Sequence, residues 1–273
     1  MIKYSLAKIA KIAKRPKGTV VELPPIEERL STVKQYHAAL RVMLAGIAAE
    51  TRETIIPLYR AELDHKRAVS GLLADADRSW FQRVAALATS LQRTASETVN
   101  RILGLEAQRH TAGFMAAAKK ALGIDLRAVV RDEDLEDYLR DVAGRNASLI
   151  QGLADDVIKR IEQTVYENSI AGNSVTTLRK ALTEQFGIAD RRAGLIARDQ
   201  SAKLNSDLNR KRQQQAGITT YKWLTSRDER VRERHKKLEG KEYKWGEPTG
   251  AENGLPPGQP IQCRCLARAI VEF

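Results

Sequence analysis

The sequence predicts a mainly α-helical protein with a small α+β module at its C-terminal end. Aromatic residues make up only 5% of the 273 residues, and small and aliphatic side chains supply most of the apolar content, which favours helix-on-helix packing over a β-sandwich. After Gly217 the helical spacing of apolar residues gives way to β-branched and aromatic residues. Long N-terminal helices, a helical lead-in and a short antiparallel sheet are therefore expected, in that order.

Residues 1–25 are predicted to form a basic N-terminal arm. Apolar residues recur at helical spacing from Ile2 to Ile12, so a short amphipathic helix is expected when the arm binds a partner, with a solvated tail as the alternative. The first 18 positions contain no acid and six cations, which are the candidate contacts to nucleic acid or to a protein: Lys3, Lys8, Lys11, Lys14, Arg15 and Lys17.

Two helical regions follow the arm. Residues 26–130 are the N-terminal helical region, with apolar stripes over 30–57, 58–104 and 106–122, the first of which should end near Pro57. Residues 131–217 are the helical lead-in, with predicted helices over 133–168, 175–186 and 191–215. Gly187 is interpreted as a stop and Asp190 as the next N-cap. The last two helices should then form a hairpin, which is favoured over a DNA-reading helix-turn-helix.

Residues 218–273 are predicted to form the C-terminal α+β module. The sequence ITTYKWL is typical of a strand, Asp228–Leu238 of a charged helix, and KEYKW of a second strand. The next 15 residues, 246–260, contain four Gly and four Pro and should form a loop, after which residues 261–273 alternate as a closing strand would.

The net charge of +12 is concentrated at the two ends of the chain. Residues 1–18 carry +6, and residues 186–273 carry 18 basic and 11 acidic side chains, which leaves 22 basic and 23 acidic side chains in between. Basic ends around a neutral body indicate an anionic neighbour, with nucleic acid favoured over a membrane. No apolar run approaches the roughly 20 residues that span a bilayer, and the N-terminus lacks a signal-peptide pattern. A protein made in the cytoplasm without a membrane partner is expected.

Cys263 and Cys265 are the only cysteines, and His235 precedes Cys263 by 28 positions. In a strand both thiols lie on one face and can reach one metal ion. Zinc usually takes four ligands, and His235 and Asp228 are the nearest further candidates, on one face of the charged helix. The alternative is that both cysteines pack as small hydrophobes while His235 bonds a loop carbonyl. Because the spacing is unlike that of a zinc ribbon, packing is favoured, no cofactor is expected, and zinc stays as the alternative.

A longer pattern surrounds these residues: Trp223, Asp228, Arg230, Arg232, His235, Leu238 and Gly240, then Trp245, Pro256 and Pro257, and finally Cys263-Arg264-Cys265. The string W-x4-D-x-R-V-R-x2-H-x2-L-x-G, followed by a Pro-rich loop and C-R-C, resembles the hallmark of the phage Mu F-like head morphogenesis proteins, which are minor head proteins of tailed bacteriophages. The stretch around Ala197-Arg198-Asp199-Gln200 and Asn205 also looks like the family's helical lead-in. The resemblance covers roughly residues 174–268.

The resemblance implies a structural virion protein and not an enzyme. Family members are made in the host cytoplasm, associate with the portal protein during procapsid assembly, and stay inside the head near the portal vertex, where some affect DNA packaging or ejection. The portal protein is therefore the expected partner. Major capsid or scaffolding protein and packaged double-stranded DNA, through non-specific phosphate contacts, are further candidates.

The hallmark residues have structural roles that physical chemistry predicts. Asp228 should cap the charged helix, and Arg230 and Arg232 should bond carboxylates within the module or on a partner. Gly240 allows a left-handed C-cap. The large apolar surfaces of the module are predicted to come from Trp223 and Trp245.

Two rival functions stay open at the level of sequence. A non-specific DNA-binding protein would use the diffuse basicity. A metal-dependent nuclease would use Asp228, His235 and the two cysteines, but the sequence has no second acidic cluster, no recognisable nucleophile–base pair and no phosphate-cradling glycine loop.

Overall fold

The computed structural model describes residues 2–12, 16–68, 79–131 and 133–273. Within these ranges the chain is mainly α-helical with one small antiparallel sheet, so the predicted fold class is confirmed. The helices are α1 (Leu6–Ile12), α2 (Leu30–Ala68), α3 (Ser79–Leu122), α4 (Glu136–Ile170), α5 (Val175–Gln215) and α6 (Glu233–Lys236). The strands are β1 (Val20–Glu22), β2 (Thr220–Leu224), β3 (Glu242–Lys244) and β4 (Leu266–Glu272). No described helix combines the length and the apolar character needed to cross a bilayer.

The chain divides into two compact units. Unit 1 contains residues 1–33, 102–142 and 198–273, and unit 2 contains residues 34–101 and 143–197. The predicted boundaries near residues 130 and 217 do not coincide with these units, because each long helix has residues in both.

Unit 2 is a helical bundle in which polar groups supplement the apolar packing. Tyr36 is fully buried and its hydroxyl donates a hydrogen bond of 2.5 Å to Asn146 Oδ1, the bond across helices that the position of Asn146 in an apolar stripe suggests. The rings of Phe81 and Tyr166 lie 5.6 Å apart between their centroids. These contacts join α2 to α4 and α3 to α4.

Pro57 does not end the helix, so the predicted stop there was wrong. Helix α2 continues through Pro57 to Ala68. Ile55, Ile56 and Tyr59 are buried on both sides of the proline. The carbonyl oxygens of Asn168 and Asn173, 2.9 and 2.8 Å from the Tyr59 hydroxyl, share its single hydrogen. Burial of this apolar face outweighs the backbone hydrogen bond that a proline removes.

The predicted break at Gly187 was also wrong, since α5 is one helix from Val175 to Gln215. Leu182 and Ala189 are buried on either side of Gly187, and Phe186 between them is half-buried. Asp190 does not cap a new helix; its carboxylate lies 3.2 Å from His37 Nε2 and 3.2 Å from Arg41 Nε. The start of α5 agrees with the sequence, because Ser174 Oγ accepts a hydrogen bond from the Thr177 N–H at 3.1 Å. A single helix excludes the helix-turn-helix.

The sheet of unit 1 takes one edge strand from the N-terminus. Its order is β1-β4-β2-β3, and every neighbouring pair is antiparallel. The residues expected to form a separate arm therefore contribute β1, and α1 packs Leu6, which is fully buried, into the core of unit 1. The N–H groups of Tyr4 and Leu6 donate to the carbonyl oxygens of Gln215 and Ala216 at 3.1 and 3.0 Å. Apolar burial and strand pairing together explain why this segment packs instead of standing apart.

Candidate functional site

The C-R-C segment lies just before β4, whose first residue is Leu266, so the expectation that both cysteines are in the strand was wrong. Alternation still holds, because Cys263 and Cys265 are buried and Arg264 between them is exposed. Both thiols are free. They belong to a small apolar cluster whose members include Trp223, Leu238 and Ala267.

The end of α5 holds the loop that leads into the C-R-C segment. The Ser206 hydroxyl donates to the Pro257 carbonyl at 2.6 Å, and Asp199 Oδ1 accepts from the Gln262 N–H at 3.0 Å. Gly258, next to Pro257, has a φ of +85°, and a Cβ there would lie 2.7 Å from the Ser206 Cβ. The lead-in residues therefore have a local purpose, which is to fix the Pro-rich loop against the helix.

His235 faces both thiols from the short helix α6. Its Nδ1 lies 3.6 Å from Cys263 Sγ and 3.6 Å from Cys265 Sγ. The ring is 2% exposed and meets the Trp223 ring edge-on, with centroids 5.4 Å apart. The predicted helix over Asp228–Leu238 is thus limited to four residues, Glu233–Lys236, but it brings His235 to the cysteines.

Glu252 determines which nitrogen of His235 carries the proton. Its Oε2 lies 2.7 Å from His235 Nε2. Desolvation opposes ionisation of Glu252, but hydrogen bonds from its own backbone N–H and from His235 lower its pKa. An ionised carboxylate only accepts hydrogen bonds, so Nε2 is the protonated nitrogen and the lone pair of Nδ1 points at the two sulfurs in the neutral ring.

The environment of Cys263 favours its thiolate. Its Sγ accepts the Gly258 N–H at 3.4 Å and the Cys265 N–H at 3.5 Å. A hydrogen bond from the Cys265 thiol, partly offset by burial and reinforced by these N–H groups, lowers the pKa of Cys263. The same bond together with burial raises the pKa of Cys265. Cys263 is therefore the more acidic of the two thiols.

Two of the hallmark arginines are occupied inside the module. Arg264 binds Asp228 through both guanidinium nitrogens at 2.7 and 2.8 Å, and Arg232 donates to the Ile261 carbonyl at 2.6 Å. Although desolvation acts against it, the bond from Arg264 and the Arg230 N–H lower the pKa of Asp228. Asp228 therefore closes the turn over 228–230 and does not cap a helix or approach the thiols.

Arg230 differs from the other two hallmark arginines. Its backbone N–H donates to Asp228 at 3.0 Å, but within the described part of the chain its exposed side chain makes no hydrogen bond or ion pair. The guanidinium lines a cleft of about 570 Å³. The cleft is also lined by Glu28, Arg198, Arg232, His235, Cys263, Arg264 and Cys265.

The remaining hallmark residues shape the sheet around this cluster. Trp223 is fully buried on β2, while Trp245 is half-buried and donates from Nε1 to Gln213 Oε1 at 3.0 Å. Gly240 has a φ of +74°, and its N–H donates to the Trp223 carbonyl at 2.8 Å. The glycine thus turns the chain from α6 back to the sheet in a conformation that L residues rarely adopt.

The six N-terminal cations are not equivalent. Lys3 pairs with Asp134 at 2.5 Å, whereas Lys8 and Lys17 are exposed. Lys14 and Arg15 lie outside the described residues, and for Lys11 only the backbone is described, within α1. The structure therefore brings one cation of the predicted set into an internal ion pair and leaves two at the surface.

Sequence reasoning missed three residues that matter for this unit. Glu252 sits in the Gly/Pro-rich loop with no periodic signal, and Arg212 is one of many basic residues in the sequence of α5. Glu28 lines the cleft, and burial, with a further contribution from Glu106 and opposition from Arg264, raises its pKa to about 7. For Glu252 the sequence offers only its position 17 residues after His235, and this spacing does not predict a hydrogen bond between the two side chains.

The fold and the cluster define a class of protein, a helical chain ending in a small α+β module built around a buried His/Cys/Cys set. The family described as "Phage Mu protein F like protein" matches residues 159–268. This match includes all of the hallmark residues, so the resemblance seen in the sequence is confirmed over that range. It supports the coarse class of a phage head morphogenesis protein.

One curated relative matches a larger share of the chain than the family does. A protein of Haemophilus influenzae (strain ATCC 51907 / DSM 11121 / KW20 / Rd), described as "Uncharacterized protein", is 29% identical over 168 residues. The aligned part covers 61% of this chain and 37% of the relative, so the chain spans well under half of that protein. No solved structure matches the chain.

Proposed function

We propose that this chain is a minor head protein of a tailed bacteriophage that binds the portal protein inside the head, near the portal vertex, and supports assembly, DNA packaging or ejection. The observation that carries the proposal is the family match over residues 159–268. Major capsid or scaffolding protein and packaged DNA are the further proposed partners.

The contacts of the hallmark residues support a structural role over an enzymatic one. Asp228 is paired with Arg264, and Arg232 is bonded to the Ile261 carbonyl. The nuclease alternative would therefore have to use a carboxylate that is already in an ion pair. The proposal assigns no catalytic activity to the chain.

Arg230 is the hallmark residue best suited to meet the portal protein. It belongs to the matched segment, its charge is unpaired among the described residues, and it is exposed beside the cleft. An arginine in this state can form a two-bond contact with a carboxylate on a partner. A patch of acidic side chains on the portal is therefore the proposed counterpart.

Co-expression with the portal protein of the same phage, followed by a pull-down, tests both parts. The parent chain should co-purify with portal rings, and Arg230→Glu should weaken the interaction at least tenfold, since a repelling charge replaces an attracting one. Arg234→Glu is the matched control, because Arg234 is exposed on the same short segment but is not in the hallmark. No capture of the portal by the parent chain would refute the function, and equal loss in both variants would refute the assignment of Arg230.

A further inference from the structure

The His/Cys/Cys cluster has the geometry of a metal site. Nδ1 of His235 and the Sγ atoms of Cys263 and Cys265 all lie within 4.8 Å of one another, and all three residues are buried. With a Zn–S bond near 2.3 Å and a Zn–N bond near 2.05 Å, a sulfur and a nitrogen ligand at a tetrahedral angle lie about 3.6 Å apart. Both N···S distances here are 3.6 Å.

We propose that His235 Nδ1, Cys263 Sγ and Cys265 Sγ bind one zinc ion, whose fourth coordination position faces the cleft beside Arg230. This inference does not depend on the proposed function. The sequence spacing alone favours packing of the two cysteines over zinc binding. The structure reverses that preference because it shows the three donor atoms close together.

Glu252 is the observation that separates a metal site from simple packing. A histidine that ligates zinc usually donates its other N–H to a carboxylate, which fixes the ring and makes the ligating nitrogen a better donor. The 2.7 Å contact between His235 Nε2 and Glu252 supplies that arrangement. A packed histidine that only bonds a loop needs neither a carboxylate beside Nε2 nor an Nδ1 equidistant from two sulfurs.

The sulfur environment and the donor set select the metal. Backbone N–H groups of Gly258 and Cys265 point at Cys263 Sγ, and such bonds stabilise a thiolate. Two thiolates and one imidazole favour zinc among the divalent ions a cell keeps available, while hard ions such as Mg²⁺ and Ca²⁺ prefer oxygen ligands.

The fourth position follows from what surrounds the cluster. His235, Cys263 and Cys265 all line the cleft, together with Arg198, Arg230, Arg232 and Arg264. Three protein ligands leave a tetrahedral zinc ion with one place for water or an incoming ligand. The surrounding arginines favour an anionic group there, such as a carboxylate.

The first test is metal content. The full chain, purified with any histidine tag removed, should contain one zinc per chain by elemental analysis, or take up one on addition of a single equivalent followed by desalting. The Cys263→Ser, Cys265→Ser double variant should contain almost none. His37→Asn is the matched control, since His37 belongs to unit 2 and the cysteines belong to unit 1, and it should keep its zinc. A parent chain that retains no zinc, or that holds iron or copper instead, overturns the proposal.

A second variant keeps the test valid if the double variant does not fold. Glu252→Gln leaves all three ligands in place but removes the carboxylate from Nε2, so zinc affinity measured against a chromophoric chelator should fall about 10- to 100-fold. Unchanged affinity in a folded Glu252→Gln chain would contradict the geometry proposed for His235.

The open position is tested with cobalt. The Co²⁺-substituted chain should show thiolate-to-metal absorption and the visible bands of a tetrahedral ion, and acetate or azide should shift the visible bands by entering the fourth position. Bands typical of a tetrahedral ion that do not respond to either anion would show that the fourth position is closed.

Discussion

Arg212 connects several elements in the interior of unit 1. It is fully buried, and its guanidinium donates to Thr111 Oγ1 at 2.9 Å, to the Arg131 carbonyl at 3.1 Å and to Gln215 Oε1 at 3.1 Å. Asp134 lies 3.8 Å away and supplies the opposite charge. A charge in the interior is tolerated only when it is paired and bonded in this way, so Arg212 joins α3, α5 and the segment before α4.

Arg212→Leu should lower the free energy of unfolding by about 3–5 kcal/mol, because it leaves Asp134 without its buried partner and three acceptors without a donor. Arg210→Leu is the control on the same helix. Arg210 pairs with Asp207 at 2.9 Å but is 41% exposed, so its removal should cost about 1 kcal/mol or less. Urea unfolding followed by circular dichroism measures both variants, and similar losses would contradict the role given to Arg212.

At the scale of elements, most helices and strands were predictable, but the edge strand β1 and the ends of several helices were not. Apolar periodicity located α4 and the start of α5, and the β-branched run located β2. Pro57 and Gly187 predict helix ends because local propensity disfavours them inside helices, yet buried residues lie on both sides of each. Tertiary packing decides such cases, and it involves residues more than 100 positions apart, such as Tyr59 and Asn168.

Only part of the candidate site could be predicted from the sequence, for the same reason. The chemistry of His235, Cys263 and Cys265 could be picked out from residue type, but their convergence depends on a loop that α5 holds through Ser206. Glu252 comes from that loop, in a short 3₁₀ turn, and no periodic pattern marks it. Loop conformation is set by side-chain bonds to distant elements, which a single sequence does not reveal.

Gly258, in the Pro-rich loop, lies close against Ser206 of α5. Gly258→Ala adds a Cβ 2.7 Å from the Ser206 Cβ, in a backbone conformation with φ of +85°. Gly246→Ala is the matched control in the same loop, since its φ is +96° but no atom lies within 4 Å of the added Cβ. The control should lower the free energy of unfolding only by the conformational penalty of about 1–2 kcal/mol. Gly258→Ala should lower it clearly more, because the added Cβ also meets Ser206.

The Gly258 variant should also expose the thiols. Displacing residue 258 removes an N–H from Cys263 Sγ and loosens the cover of the cluster. In a thiol-reagent assay on the native chain, Cys263 and Cys265 should react faster in Gly258→Ala than in Gly246→Ala. Equal rates and equal unfolding midpoints would show that the contact with Ser206 does not hold the loop.

At the scale of the whole molecule, the N-terminal segment is both a structural part of unit 1 and a source of positive charge. β1 pairs with β4, and Tyr4, Leu6 and Leu23 are buried with Phe273 in one apolar core. Removing residues 1–22 would therefore take away an edge strand and core side chains together with the cations. A truncation cannot distinguish weaker DNA binding from a damaged fold, so the charge has to be changed at exposed positions.

Lys8 and Lys17 are the described cations of this segment that remain at the surface without an internal ion pair. We expect Lys8→Gln, Lys17→Gln to weaken binding to double-stranded DNA and to reduce the slope of log K against log salt by about 0.9 for each phosphate that the chain no longer neutralises. The matched control, Lys159→Gln, Lys180→Gln, removes the same charge from exposed positions in unit 2. If both pairs lower the affinity and slope equally, the effect is one of net charge and the N-terminal segment has no special role in DNA binding. If the Lys8 and Lys17 pair changes nothing, its surface serves a protein partner.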